Sequence, residues 1–188
     1  MRMLKMAAFG AAMALSGCID VDMTATILGA DHAQVNGFMQ VDRQTLDMMG
    51  GGAAFCNEEE GGTLTVTDTE ARCDMHVDGT FAEVFEGDPG EPVPTATDLG
   101  DGTVRVVFPI AAMTADTAEM RADPQMAAMM APMLEGHVFT MRIAGAEIVS
   151  SNGVIAEDGK SASFTFPLAE ALNPDYVFPE TFETVVRY

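Results

Sequence analysis

Apolar and polar residues alternate with a period of two in several parts of this chain, which is the pattern of half-buried β-strands. The first such segment has an apolar face made of Ile19, Val21, Met23, Ala25 and Ile27. A turn at 29–32 and a second alternating segment at 35–41 predict its hairpin partner. Further strands are predicted at 63–69, 72–77, 103–108, 138–143, 146–150, 161–166 and 181–188.

Short helices are predicted where a capping residue precedes apolar residues at helical spacing. One begins at 42–46 and ends at the glycines 50–52, and another, capped by Asp78 or Thr80, carries Phe81 and Val84. Asp123 followed by Pro124 predicts a third helix, because aspartate caps a helix and proline suits the first helical position.

The third helix carries a methionine face. Met126, Met129, Met130, Met133 and Leu134 recur at helical spacing and share one side. Pro132 is expected to kink or end the helix. Such a stripe most often packs into a core, and the alternative is that it lines a groove for an apolar ligand, since methionine adapts to irregular partners.

These elements together predict an α+β fold, in which an antiparallel β-sheet packs with a few helices. The length of 188 residues is typical of one domain, expected here over 18–188. Residues 87–94 contain three prolines and two glycines, so a loop or a boundary between two lobes is predicted near 87–95.

The first 17 residues have the features of a bacterial lipoprotein signal peptide. Arg2 and Lys5 precede an apolar run at 6–15, which is too short to span a bilayer. The residues 15–18, Leu-Ser-Gly-Cys, resemble a lipobox, so Cys18 is the predicted site of diacylglycerol and palmitate attachment. The alternative is an ordinary secretory signal in which Cys18 is incidental.

A lipid-anchored protein of this kind lies in the cell envelope, with its domain in the periplasm. Ile19 follows the lipid cysteine, where an aspartate often retains lipoproteins in the inner membrane of enteric bacteria. The sequence therefore favours the outer membrane.

Acidic residues dominate the rest of the chain. Arg2 and Lys5 are two of the nine basic residues, so residues 18–188 have seven basic and 29 acidic residues and a net charge of −22. This balance opposes nucleic-acid binding and keeps the domain off an anionic lipid surface. The only predicted membrane contact is therefore acylated Cys18.

Two cysteines remain once Cys18 carries lipid. In an oxidising envelope, Cys56 and Cys73 are expected to form a disulfide. The alternative is a soft copper site built from Cys73, Met75 and His76, which the disulfide would exclude. The preferred interpretation contains no metal and no cofactor.

An enzyme is not predicted. His32, His76 and His137 lie in separate segments, and the chain lacks a nucleophile elbow, a zinc-protease helix, a phosphate-binding loop and a dinucleotide fingerprint. No catalytic residue is assigned.

Two segments resemble the LppM-type envelope lipoproteins. They are 18–26, Cys-Ile-Asp-Val-Asp-Met-Thr-Ala-Thr directly after the lipobox, and 146–166 with its Ser-Ser-Asn-Gly turn. The resemblance covers 18–168 and implies an antiparallel sheet packed with helices in a two-layer shape like that of lipid-binding folds, without established enzyme activity. Members of that family can carry a C-terminal membrane helix, and none is expected here after 181–188.

Two functional hypotheses follow. In the first, the anchored, non-catalytic domain binds a lipid or another apolar envelope molecule between its sheet and the methionine face. In the second, it is a scaffold or accessory protein with a fully packed interior, whose sheet edge or acidic surface docks an envelope protein partner. The resemblance and the methionine face favour the first.

Overall fold

A computed structural model describes residues 19–188 apart from 49, 58–60, 88–89 and 116. The predicted signal peptide at 1–17 and Cys18 therefore lie outside the described residues. None of the helices in the described part of the chain is both long and apolar enough to span a bilayer.

Strands within these ranges form two sheets. The large sheet has seven strands in the order β3-β4-β2-β1-β7-β10-β9, and the small sheet has four in the order β5-β6-β11-β8. The strands are β1 Ile19–Gly29, β2 His32–Asp42, β3 Gly62–Val66, β4 Glu70–Gly79, β5 Thr95–Gly100, β6 Thr103–Phe108, β7 Val138–Ala144, β8 Glu147–Ser151, β9 Val154–Ile155, β10 Ser161–Pro167 and β11 Phe182–Arg187.

Short helices connect the strands. They are α1 Arg43–Met48, α2 Gly52–Phe55, α3 Phe81–Val84, α4 Ile110–Met113, α5 Thr117–Ala122 and α6 Pro124–Leu134, followed later by a 3₁₀ helix at Leu168–Leu172. The prediction of an α+β fold with a few helices is confirmed, and the structure adds that the strands divide into two packed sheets.

The first hairpin shows how the alternating pattern places one face of a strand in the core. β1 and β2 pair antiparallel from Ile19 opposite Val41 to Ile27 opposite Ala33. Because successive side chains point to opposite faces, every second residue of β1 enters the core, where Ala25 and Ile27 are buried. The predicted hairpin is confirmed.

β1 lies in the interior of the large sheet and also pairs with β7. This second pairing is parallel and runs from Val21 opposite Phe139 to Thr26 opposite Ala144. The other strand pairs of the described residues are antiparallel. The sheet is therefore mixed, with one parallel pair that the alternating pattern did not predict.

The two sheets meet at the turn between β8 and β9. Asn152 donates its side-chain amide to the Thr181 carbonyl at 2.8 Å, and its Oδ1 accepts the Glu183 amide at 2.8 Å. Ser151 Oγ lies 2.8 Å from Thr184 Oγ1 and accepts the Gly153 amide at 3.0 Å. The Ser-Ser-Asn-Gly segment thus fixes the corner where the chain passes from the small sheet to the large one.

One apolar core joins the sheets. Val104, Val106 and Val186 of the small sheet belong to the same buried cluster as Ile143 of the large sheet. Phe182 spans the junction, because its ring centroid lies 6.0 Å from that of Phe108 and 6.1 Å from that of Phe164. A smaller cluster under α1 and α2 contains Val41, Leu46, Phe55, Cys56, Ala71 and Cys73.

Candidate functional site

A cavity of about 320 Å³ opens between the inner face of the large sheet and a cover made of α3, α4 and loop residues between α3 and β5. Apolar side chains provide most of its surface. The lining residues are Met23, Ala25, Val35, Val84, Phe85, Glu86, Gly87, Glu91, Pro92, Val93, Pro94, Phe108, Ala112, Met113, Ala115, Phe139, Met141 and Arg142.

Three adjacent strands form the floor of the cavity. Met23 and Ala25 come from β1, Val35 from β2, and Phe139 and Met141 from β7. Alternation along each strand places these residues on the inner face. The strands of the floor are hydrogen-bonded side by side, β2 to β1 and β1 to β7.

α3 forms one wall and is held by a capping interaction. Glu83 Oε2 accepts both the Thr80 amide and the Thr80 hydroxyl at 2.8 Å. The hydrogen bond from the Thr80 amide lowers the pKa of the exposed Glu83 carboxyl, and the Thr80 hydroxyl and the charge of His32 act in the same direction. The predicted cap at Thr80 is confirmed, and it positions Val84 and Phe85 toward the cavity.

The remaining cover comes from the proline-rich loop and α4. Pro92, Val93 and Pro94 face the cavity from the loop, and Ala112 and Met113 face it from α4. Glu86 and Glu91 also line it and are exposed. The opening of the cavity therefore carries two carboxylates.

The guanidinium of Arg142 does not offset these carboxylates. It donates from Nη1 to Asp22 Oδ1 at 3.0 Å and to Thr24 Oγ1 at 3.1 Å. Both partners lie on the outer face of β1, opposite to Met23 and Ala25. The head of the arginine is therefore engaged on the far side of the sheet.

The predicted methionine face lies elsewhere. Asp123 caps α6, since its Oδ1 accepts the amides of Gln125 at 2.9 Å and Met126 at 3.2 Å, and α6 ends at Leu134, two residues after Pro132. The predicted cap at Asp123 is confirmed, whereas the helix continues through Pro132 for two more residues.

Of the five predicted ligand-binding residues of this face, the four whose side chains the structure describes, Met126, Met129, Met130 and Leu134, do not line the cavity. Met126 is 41% exposed and Met129 69% exposed, while Met130 and Leu134 are half-buried. The side chain of Met133 lies outside the described ones. α6 packs against α5 and the 3₁₀ helix rather than over the cavity, and ligand binding by this face stays a prediction.

The predicted disulfide between Cys56 and Cys73 is present, with an S–S distance of 2.00 Å and a Cα–Cα distance of 5.4 Å. It removes the thiolate that the alternative copper site required. His76 points to the other face of β4 from Cys73, where its Nδ1 lies 2.7 Å from Asn36 Oδ1. In the described part of the chain, no three His, Cys, Asp or Glu side chains are grouped as metal ligands would be.

The three histidines have separate partners. His32 Nε2 lies 3.3 Å from Asp78 Oδ1, and His137 Nδ1 lies 3.1 Å from Asp20 Oδ2. Together with the His76 contact to Asn36, these pairs occupy three different positions on the sheet. The structure thus does not bring the histidines into one cluster.

Sequence reasoning missed the cover of the cavity. The sequence predicts a loop or a lobe boundary at 87–94. Residues 91–94 of this segment line the cavity, and the lobe boundary stays a prediction. The available signal was Val93, an apolar residue between two prolines in an otherwise polar stretch. α4 gave a weaker signal, since 110–113 is too short for a helical period.

Two packed sheets with an apolar cavity beneath short helices define a small domain of the α+β class. Its fold is similar to the NMR structure of the folded domain of LppM from Mycobacterium tuberculosis. The TM-score is 0.51 at 12% sequence identity, and the match covers 93% of this chain and 92% of that chain.

Neither a family model nor a curated protein matches the sequence. At 12% identity the likeness to the LppM domain is one of fold. It confirms the fold that the LppM-type resemblance implied.

Proposed function

We propose that this chain is a lipid-anchored, non-catalytic envelope domain that binds one acyl chain, or an apolar molecule of similar size, in the cavity between the large sheet, α3 and α4. The cavity itself is the observation that carries the proposal. Its volume of about 320 Å³ lies at the lower end of the range of about 300–1,000 Å³ that small-molecule sites occupy.

The lining explains why an acyl chain would bind. Each methylene that leaves water contributes about 0.8 kcal/mol. Aromatic and aliphatic side chains surround the space from four directions, and the paired strands of the floor leave little reorganisation to oppose binding.

Charge at the opening selects among lipids. The exposed carboxylates of Glu86 and Glu91 line it, and the guanidinium of Arg142 is engaged with Asp22. An anionic headgroup would meet repulsion there. A ligand with a neutral or cationic headgroup fits this opening best.

Location in the envelope agrees with this role. The lipobox-like residues 15–18 supply an anchor at Cys18, and the Cys56–Cys73 disulfide is typical of an oxidising compartment outside the cytoplasm. The proposed anchor places the cavity beside a membrane that contains its ligand. Ile19 after the lipid cysteine favours the outer membrane.

Native mass spectrometry of the mature chain, exported in an oxidising compartment with Cys18→Ser, tests the binding proposal. We expect a mass increment that organic extraction identifies as a lipid. Added lauroyl monoacylglycerol, which is neutral, should bind to the extracted protein and raise its thermal midpoint, because a ligand present at 100 times its Kd stabilises by about 2.7 kcal/mol.

A filled cavity provides the matched comparison. Ala112 is exposed on α4 and lines the cavity, so Ala112→Trp should occupy the space and abolish the shift caused by the monoacylglycerol. Ala156 is also exposed and lies outside the lining, so Ala156→Trp should keep that shift.

An unliganded mass together with no thermal shift would reject the acyl-chain proposal. That result would favour the scaffold hypothesis, in which a protein partner docks on the acidic surface. That hypothesis expects a fully packed interior, and the cavity therefore favours lipid binding over it.

A further inference from the structure

We infer that helix α6 rests on the lipid surface beside the anchor, with Met126 and Met129 inserted among neutral or zwitterionic lipids. This inference rests on the proposed acylation of Cys18, and it concerns a surface distinct from the cavity. The proposed partner of the exposed methionines is thus a lipid bilayer.

The chemistry of α6 differs from that of the rest of the domain. Its 11 residues, Pro124–Leu134, contain no charged side chain and form the longest uncharged stretch after Cys18 in a region with a net charge of −22. Met129 is 69% exposed and Met126 41% exposed, one helical turn apart. An apolar helix face of this kind lies in a lipid interface more favourably than in water.

The position of α6 relative to the anchor carries the inference further. Asp20 Oδ1 accepts the Val138 amide at 2.9 Å, and Asp20 Oδ2 lies 3.1 Å from His137 Nδ1. The His137 amide in turn donates to the Leu134 carbonyl, the end of α6, at 3.2 Å. The C-terminal end of α6 is thus tied to the second residue after Cys18.

The tether is too short to hold this end away from the membrane. Two residues span at most about 7 Å when fully extended. Acyl chains on Cys18 therefore bring Asp20, and the end of α6 with it, to the headgroup layer. Val138, which is 39% exposed, lies at the same corner and adds apolar surface.

The charges that flank α6 decide which lipids it meets. Asp123 caps its first turn, and Glu135 follows its last residue. An anionic bilayer repels both carboxylates, whereas a zwitterionic one does not. Phosphatidylcholine is accordingly the probe lipid for the test.

The experiment places a fluorescent label on the helix of the acylated mature protein. Cys18 is acylated and Cys56 and Cys73 are bridged, so Met129→Cys provides the free thiol for an environment-sensitive dye. The protein is reconstituted in phosphatidylcholine vesicles with and without spin-labelled phosphatidylcholine, whose nitroxide quenches the dye on contact.

Val154→Cys is the matched control. Val154 is 74% exposed in β9, which pairs with Ala162 and Ser163 of β10. These residues pair with Ile143 and Arg142 of β7, which in turn pair with Ala25 and Thr24, several residues along β1 from its start at Ile19. We expect quenching at position 129 to exceed that at 154 by about twofold or more, because only α6 lies within the interface.

Two further measurements sharpen the result. Met126→Asp should reduce the quenching at position 129, and phosphatidylglycerol in the vesicles should reduce it as well. Equal quenching at 129 and 154 in a protein whose mass shows the acyl chains would overturn this inference alone. A mass without acyl chains would overturn the anchor and this inference together, while leaving the cavity proposal to its own test.

Discussion

Gly153 occupies a position where the two sheets leave no room for a side chain. A Cβ at this residue would lie 2.5 Å from Phe182 Cε2 and 2.5 Å from the Ser163 carbonyl oxygen. Phe182 belongs to the small sheet and Ser163 to the large one, so the glycine permits their close approach. The carbonyl oxygen is main chain and cannot rotate away.

Gly153→Ala is therefore expected to lower the free energy of unfolding by about 1–3 kcal/mol, the usual cost of overpacking. Urea denaturation measures the change. Gly29→Ala is the control, because a Cβ there would meet His32 Cβ at an ordinary 3.7 Å. Equal stability of the two variants would show that the corner adapts, contrary to this account.

At the scale of secondary-structure elements, the Cys56–Cys73 disulfide links the end of a helix to a strand. It joins the residue after α2 to the middle of β4 and closes a loop with a sequence separation of 17. The smaller apolar cluster surrounds it, including Phe55 and Leu46. The bridge thereby ties the end of α2 to β4.

Replacing both cysteines, as Cys56→Ala with Cys73→Ala, should lower the free energy of unfolding by about 3 kcal/mol, because the unfolded chain regains the entropy of an open loop. Denaturant titration tests this. A reducing agent should destabilise the natural chain similarly and leave the double variant unchanged. A double variant as stable as the oxidised protein would contradict the assigned contribution.

Elements with strong local signals were predictable from sequence. The helix starts are indicated by Thr80, Asp123 and Pro124, and β1 is indicated by the alternation of 19–27. These signals are readable because each involves residues only a few positions apart. β5 was missed, since Thr95–Gly100 is largely exposed and lacks apolar alternation. The strand predicted at 63–69 ends at Val66, after which Thr67 turns the chain through contacts with Glu70.

The cavity could not be predicted from local sequence patterns, for a related reason. Its lining combines residues of β1, β7, α3 and α4 that only the tertiary fold brings together. The methionine face, by contrast, was visible in the sequence as a helix stripe. What no pattern in 124–134 indicated is that this helix packs on α5 instead of covering the sheet.

At the scale of the whole molecule, repulsion among carboxylates opposes folding. Five arginines form ion pairs with carboxylates in the described residues, and all of these pairs are at least partly exposed. Exposed pairs contribute little, so they do not offset the net charge of −22 on residues 18–188. The folded domain concentrates this charge more than the unfolded chain does.

The thermal midpoint is therefore expected to rise when sodium chloride increases from a few millimolar to physiological strength, where the screening length falls to about 8 Å. Differential scanning calorimetry measures the shift. Sucrose at equal osmolarity separates screening from general solute effects. A midpoint that falls with salt would show that attractive pairs outweigh the repulsion.

The parallel pairing of β1 with β7 has a consequence for how the chain folds as it is synthesised. Paired residues such as Thr24 and Arg142 are 118 positions apart, so β1 leaves the ribosome long before its second neighbour. The hairpin with β2 forms early because its contacts are local, whereas the other edge of β1 waits unpaired. The hairpin therefore keeps an exposed edge, open to pairing with other chains, until the C-terminal half of the chain arrives.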